Sequence, residues 1–255
     1  PMTKRTVTIA VRGGEPKTLD LYSTVHGPVI MFDEKNHAAY SKRRSWAGHE
    51  METMFAYYQE MKARNFTEWS AAIALKSNNQ SQYYADVRGN IGYIQAGRYP
   101  VRPKGFEIQL PTPGTGDREW TGFQPAADNA RLLNPKSGYI ANWNNRPSID
   151  VLNTDTLLWS RLNHVDAITR QFDAKAKMTT SEVWDVNRDA AHASEQHSYF
   201  VPLIAAAVAG EPAGSPVRAV ADAITGWDGQ GRDPTHSGRY ASPGVAAYYQ
   251  WMESA

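Results

Sequence analysis

Asn142, Trp143, Asn144 and Asn145 lie in the stretch Gly138-Tyr139-Ile140-Ala141-Asn142-Trp143-Asn144-Asn145-Arg146-Pro147. A glycine turn before them and a proline after them fit neither a plain buried strand nor a helix. Side-chain amides held by rigid neighbours can recognise a backbone, or donate to an oxygen on which negative charge develops. The same amides can simply cap the turns of an ordinary loop, and these residues alone leave both readings open.

Other groups with chemical potential are scattered. His26 stands beside Gly27-Pro28. It reads either as a general base or as a turn histidine bonded to backbone, and no nucleophile lies near it in sequence. The five-residue interval from His192 to His197 does not align two ligands on one helix face, so a metal is not expected there. Phosphate-loop glycines, His-Glu-x-x-His and Gly-x-Ser-x-Gly are all absent.

The elements that must position these residues divide into a β-rich first half and a mostly helical second half. Val7, Ile9 and Val11 alternate with polar residues, turn at Arg12-Gly13-Gly14-Glu15, and resume with Leu19 and Leu21, which predicts a meander continuing to Arg44. Met51, Met54, Phe55, Tyr58 and Met61 share one face of a helix over Glu50 to Arg64, a stripe expected in the core. Tyr57 lies off that stripe and is free to face a cavity. Asn65 with Glu68 caps a shorter helix.

Gln82 to Gln95 predicts a hairpin turning at Val87-Arg88-Gly89-Asn90. Arg98 to Asp128, rich in Pro and Gly, predicts a long ordered loop pinned to the core by Trp120-Thr121-Gly122-Phe123. Helices follow over Asp155 to Phe172, after the capping box Thr179-Thr180-Ser181-Glu182, near Tyr199 to Ala209, and from Ser215-Pro216 to Gly226. The fold class expected is α+β.

Composition removes several functions. At 255 residues with 41% hydrophobic content the chain is globular, with length for one large domain or two small ones. Lys and Arg number 27 against 26 Asp and Glu, without a basic stripe, which argues against nucleic acid. Cysteine is absent, so disulfides and thiolate metal sites are excluded. No apolar run approaches the roughly 18 residues of a membrane span, and no signal-peptide core follows Pro1. Entry almost directly into a strand pattern and exit at Trp251-Met252-Glu253-Ser254-Ala255 in a helical one read as two cut ends.

Several motifs, taken in order, resemble one family. These are Thr24-Val25-His26-Gly27-Pro28-Val29, Tyr83-Tyr84-Ala85-Asp86 with Gly89-Asn90-Ile91-Gly92-Tyr93, Leu110-Pro111-Thr112-Pro113-Gly114-Thr115-Gly116, the Gly138 to Pro147 stretch, and Trp227-Asp228-Gly229. The chain is similar along essentially its whole length to the β-chain of the penicillin acylases, N-terminal nucleophile hydrolases that cleave the amide of acylated β-lactams and related N-acyl compounds. The resemblance implies part of a four-layer αββα sandwich, with residues 1–255 an internal fragment of that β-chain.

It further implies a precursor cut into α and β chains, whose new N-terminal Ser attacks the amide with its own amino group as base. That Ser has no counterpart after Pro1, so this chain alone is expected to be inactive. Its expected partners are the rest of the β-chain, the α-chain of the same precursor, and a small N-acyl substrate. Alone it should also expose apolar faces meant for them, that of the Met51 to Met61 helix among them, and aggregate; a monodisperse, cooperatively melting product in size-exclusion and thermal assays is the contrary result. The family location is periplasmic or secreted.

Residue by residue, Asn144 matches the family's oxyanion donor. An Arg expected some twenty residues later is replaced by His164, with Arg161 three residues away as the other candidate. Asp155 matches a calcium ligand, although it serves equally as a helix N-cap. Ile108 occupies the place of a carbonyl donor to the same ion. Tyr57 matches an aromatic of the acyl pocket, while Gln80 stands where an apolar residue is expected, which opens acyl groups other than phenylacetyl, an N-acyl homoserine lactone among them. A sugar- or peptide-binding module using exposed Tyr and Trp, or a purely structural relative, are the competing classes.

Overall fold

The computed structural model describes residues 2–149, 151, 159 and 163–254. The chain forms two compact units, one of residues 1–134 with 147–157, the other of residues 135–146 with 158–255.

The first unit begins with the expected meander. Strands β1 (Thr3–Ile9), β2 (Lys17–Thr24), β3 (Gly27–Asp33) and β4 (Ala38–Ser41) pair in sequence order, each antiparallel to the next. Period-two alternation puts Lys4, Thr6 and Thr8 opposite Tyr22, Asp20 and Thr18 on one face, with Val7 opposite Leu19 on the other. Gly27 must be glycine: its φ is +126°, and a Cβ would lie 2.4 Å from the carbonyl oxygen of Lys42.

Helices α1 (Glu50–Glu60) and α2 (Phe66–Ile73) follow, then a sheet in the order β5 (Gln80–Ala85), β6 (Ile91–Ala96), β9 (Arg131–Leu133). The Asn65 carbonyl oxygen Oδ1 accepts from the backbone of Glu68 at 2.9 Å, as the cap predicts. Trp69 and Ile73 of α2 bury against Ile94 and Ala96 of β6. The approach is close at Gly92, where a Cβ would stand 2.5 Å from the Phe66 ring, so this glycine of the Gly-Asn-Ile-Gly-Tyr motif is a packing requirement.

The α1 stripe is not core in this chain; it is exposed, as expected of this helix face in the chain alone. Met51 and Met61 are 76% and 77% exposed, and Met54, Phe55 and Tyr58 are exposed as well. The buried residues of α1 are Thr53 and Ala56. Thr53 Oγ1 bonds Ser77 Oγ at 2.7 Å, and Glu60 reaches the buried Lys76 at 3.0 Å. Polar partners on the small-residue face therefore turn the Met stripe outward.

The Asp86 carboxylate organises the β5–β6 hairpin. It accepts from the backbone of Arg88 at 2.9 Å and of Asn90 at 3.0 Å, and from the Asn90 side chain at 2.8 Å. The Asn90 side chain foremost, with these N–H groups, holds the Asp86 carboxyl at about 2 against an ordinary 3.8. A depressed acid pKa stabilises fully above the unfolded value and loses that contribution as pH falls through about 4 towards 2. The gap in urea midpoint between wild type and Asp86→Ala is thus expected to be open at pH 6 and to shrink at pH 2.5; a gap independent of pH refutes it.

In the long loop, two short strands, β7 (Pro100–Val101) and β8 (Gly122–Phe123), pair with each other. The second unit holds α3 (Val165–Asp173), α4 (Thr180–His192), α5 (His197–Ala207), α6 (Pro216–Thr225) and α7 (Pro243–Ser254). The Thr179 capping box opens α4 and Ser215 caps α6, both as predicted. Of the helix expected over Asp155 to Phe172, only Val165 onward lies within the described helix; Leu157, Leu158 and Leu162 fall outside the described residues. Ile168, Val186 and Ala190 form one core of this unit, and Ile224, Trp227, Val245 and Tyr248 another.

Candidate active site

The Gly138 to Pro147 stretch is irregular, as its composition requires, and its segment in the second unit is held firmly. Tyr139 stacks 4.9 Å from Phe172 and its hydroxyl donates to Asp173 Oδ1 at 2.7 Å. Ala141 and Trp143 pack on the Ile168, Val186 and Ala190 core. A cavity of about 340 Å³ lies beside Ile140, Ala141 and Asn142.

Two of the three amides close the turn. Asn142 Oδ1 accepts the backbone N–H of Asn144 at 3.0 Å, and Asn145 Oδ1 accepts that of Trp143 at 2.9 Å. Asn144 sits at φ +55°, a left-handed conformation that Asn tolerates better than most residues. Its side chain is exposed, and among the described residues its amide has no hydrogen-bond partner. Asn142 and Asn145 thus hold the loop, while the Asn144 side-chain N–H groups are unpaired among the described residues.

His164 lies directly before α3 with its ring 4.7 Å from that of Trp143. Its Nε2 stands 2.6 Å from Glu195 Oε1, and its Nδ1 is buried without a partner among the described residues. Glu195 belongs to no motif and is brought here by the turn between α4 and α5, so local sequence offered no sign of it. Arg161 and Asp155 both lie outside the described residues.

The first unit brings Tyr57 and Gln80 together. The Tyr57 hydroxyl donates to Gln80 Oε1 at 2.8 Å. The Lys76 ammonium lies 3.9 Å from the centre of the Tyr57 ring and 3.0 Å from Glu60 Oε2, with the lysine side chain fully buried. The oxygen of the amide at position 80 therefore has a partner. Lys76 and Glu60, which no motif marked, make the surroundings of Tyr57 and Gln80 polar.

Ile108 is half-buried in the long loop, and its carbonyl oxygen has no hydrogen-bond partner among the described residues. That suits a carbonyl donor to a hard cation. No group of three His, Asp or Glu that could hold a metal occurs among the described residues.

His26 departs from the reading as a turn histidine whose ring bonds to backbone. Its Nε2 contacts Glu119 Oε1 at 2.5 Å rather than backbone, and Glu119 Oε2 also contacts Arg43 at 2.5 Å. The hydrogen bond from His26, then that from Arg43, holds the Glu119 carboxyl below its usual range. Arg43 in turn stacks 4.3 Å from the Trp120 ring. The long loop is thus fastened by the Glu119 carboxylate between His26 and Arg43 and by the expected aromatic residues, with Arg43 over the Trp120 ring and Arg98 4.1 Å from the centre of the Phe123 ring.

One further cavity in the first unit, about 580 Å³, is lined by Tyr93, Gln95, Tyr99, Asn129, Arg131 and Pro147 among others, and by none of the candidate catalytic, substrate-binding or metal residues.

Sequence comparison matches residues 1–255 to the family described as penicillin amidase. The chain belongs to the penicillin amidase family. It is 36% identical over 255 residues to penicillin G acylase of Escherichia coli, an alignment covering 99% of this chain and 30% of that protein. It is 29% identical over 156 residues to the acyl-homoserine lactone acylase QuiP of Pseudomonas fluorescens, covering 57% of this chain and 18% of the other. The solved structure of a thermostable penicillin G acylase from Alcaligenes faecalis superposes with a TM-score of 0.90 at 34% identity, over 99% of this chain and 45% of that one. The chain thus spans less than half the length of each of these relatives. Within the described residues of this penicillin amidase family chain, no helix is long and apolar enough to cross a membrane.

Proposed function

We propose that this chain is the part of an amide-cleaving acylase that supplies the oxyanion donor and one wall of the acyl site, within a four-layer αββα fold. The observation that carries the proposal is the division of labour in the loop, where Asn142 and Asn145 fix a left-handed Asn144 whose amide is left unspent. An amide on a backbone held in place, with N–H groups unpaired among the described residues, is what a tetrahedral intermediate's oxygen needs. The nucleophile, an N-terminal Ser with its own amine as base, comes from the remainder of the β-chain, and the α-chain of the same precursor completes the enzyme. This chain by itself is inactive.

His164, set against Trp143 and Glu195, takes the orienting place that the family gives to Arg, with Arg161 the other candidate. Asp155 and the Ile108 carbonyl contribute to a structural calcium site whose other ligands come from elsewhere. The enzyme works in the periplasm or outside the cell. Its substrate is a penicillin-like or other linear N-acyl compound. The hydrogen-bonded pair Tyr57 and Gln80 favours a second reading, an N-acyl homoserine lactone as substrate, because a purely hydrocarbon wall is absent there.

The test is hydrolysis of phenylacetyl and longer-chain acyl 4-nitroanilides, and of N-acyl homoserine lactones, by the complete processed protein. Release of amine from none of them overturns the reading.

A further inference from the structure

Gln80 has its amide oriented by a chain of hydrogen bonds that begins at a buried charge. Lys76 Nζ donates to Gln82 Oε1 at 2.7 Å, and an ammonium only donates. Gln82 must therefore turn its oxygen to Lys76 and its NH₂ away from it, which places Gln82 Nε2 3.1 Å from Gln80 Oε1. The Tyr57 hydroxyl donates to the same oxygen. Both donors converge on Gln80 Oε1, so the amide cannot flip without facing N–H against N–H. Gln80 Nε2 is left with no partner among the described residues, on a side chain that is only half-buried.

Glu60 keeps this arrangement neutral overall. Its carboxylate lies 3.0 Å from the Lys76 ammonium, itself fully buried, so the wall carries directional donors rather than a net charge. Unpaired donors beside a ligand discriminate strongly in favour of a ligand that pairs them.

We propose that Gln80 determines specificity by donating to a hydrogen-bond acceptor in the acyl group, a keto, ether, hydroxyl or ring-nitrogen atom, and that Lys76 and Gln82 are the positioning residues that hold it in that sense. This rests on the reading of Tyr57 and Gln80 as the acyl wall and names the class of acyl group that the wall selects.

The complete processed protein tests it with 2-, 3- and 4-pyridylacetyl 4-nitroanilides against the phenylacetyl compound. This series moves one acceptor nitrogen around a ring of constant size. For at least one isomer, the ratio of its kcat/KM to that of phenylacetyl is expected to be about tenfold higher in wild type than in Gln80→Leu, the worth of roughly one hydrogen bond. Gln82→Leu, which frees the Gln80 amide to turn, should lower the same ratio in the same isomer. Gln80→Glu keeps the length of the side chain but presents no N–H at neutral pH, and decides the matter if Gln80→Leu yields no soluble protein. Hydrolysis with one ratio shared by wild type and all variants overturns the role of Gln80 and leaves the acylase reading standing. No hydrolysis of any of these anilides, of longer-chain acyl anilides or of acyl homoserine lactones overturns both.

Discussion

Asn144→Ala, made in the complete processed protein, is expected on the proposed acylase reading to lower kcat/KM by about 10²–10³, or ~2.7–4 kcal/mol of transition-state stabilisation. The loss should appear in kcat with KM little changed, because an oxyanion exists only after attack and the donor has little to hold in the ground state. The backbone of Asn144 complicates a single substitution. At φ +55° an alanine is strained by about 1–2 kcal/mol, so Asn144→Ala removes a donor and loads the loop at once.

Asn144→Gly separates the two effects. Glycine accepts the left-handed conformation freely, so the glycine variant should lose as much activity as the alanine variant while keeping wild-type stability. Asn142→Ala and Asn145→Ala should behave differently, since their carbonyl oxygens hold the backbone N–H groups of Asn144 and Trp143. Each should loosen the loop and raise KM as well as lower kcat. A glycine variant within threefold of wild type would take Asn144 out of the oxyanion site and leave it a conformational role.

What could be read from sequence was mostly short-range. The Asn65 and Thr179 caps and the Arg12 to Glu15 and Val87 to Asn90 turns are written in residues three or four apart, where side chain meets backbone directly. The Met51 to Met61 stripe shows the limit. Periodicity identified an apolar face but could not say that Thr53 and Glu60, on another face, would find Ser77 and Lys76 and set the helix's rotation. Nor could it show that Glu119 would bridge His26 and Arg43 across most of the first unit's length, or that Gln80 would be oriented from Lys76 through Gln82.

At the candidate site, the irregular amide-rich loop was legible and the choice of Asn144 rested on resemblance. The hydrogen bonds of Asn142 and Asn145 supply a physical reason for that choice that residue types alone do not contain.

The Trp227-Asp228-Gly229 motif belongs to packing, and its Trp→Ala substitution should be the most damaging to stability. Trp227 is 4% exposed, with its ring 5.6 Å from Tyr248 and 4.6 Å from His197, and its Nε1 donates to the Gln230 carbonyl at 3.0 Å. Its neighbours are fixed as tightly. A Cβ on Gly244 would stand 2.6 Å from the Trp227 Cβ, and one on Gly229 would stand 2.9 Å from His197 Nδ1, so neither side has room to rearrange and fill a void. A core that cannot collapse pays the full cavity term, and Trp227→Ala should destabilise by about 3–5 kcal/mol. Trp227→Phe keeps an aromatic ring against Tyr248 and His197 while losing the hydrogen bond to Gln230, and should fall by a smaller amount, with the lost bond itself worth about 0.5–1.5 kcal/mol. Urea midpoints of the complete protein, compared at equal m-value, provide the measure. Equal losses for the two substitutions would place the weight on the indole N–H and the Gln230 turn rather than on the ring, because a phenyl group restores most of the buried surface and none of the hydrogen bond.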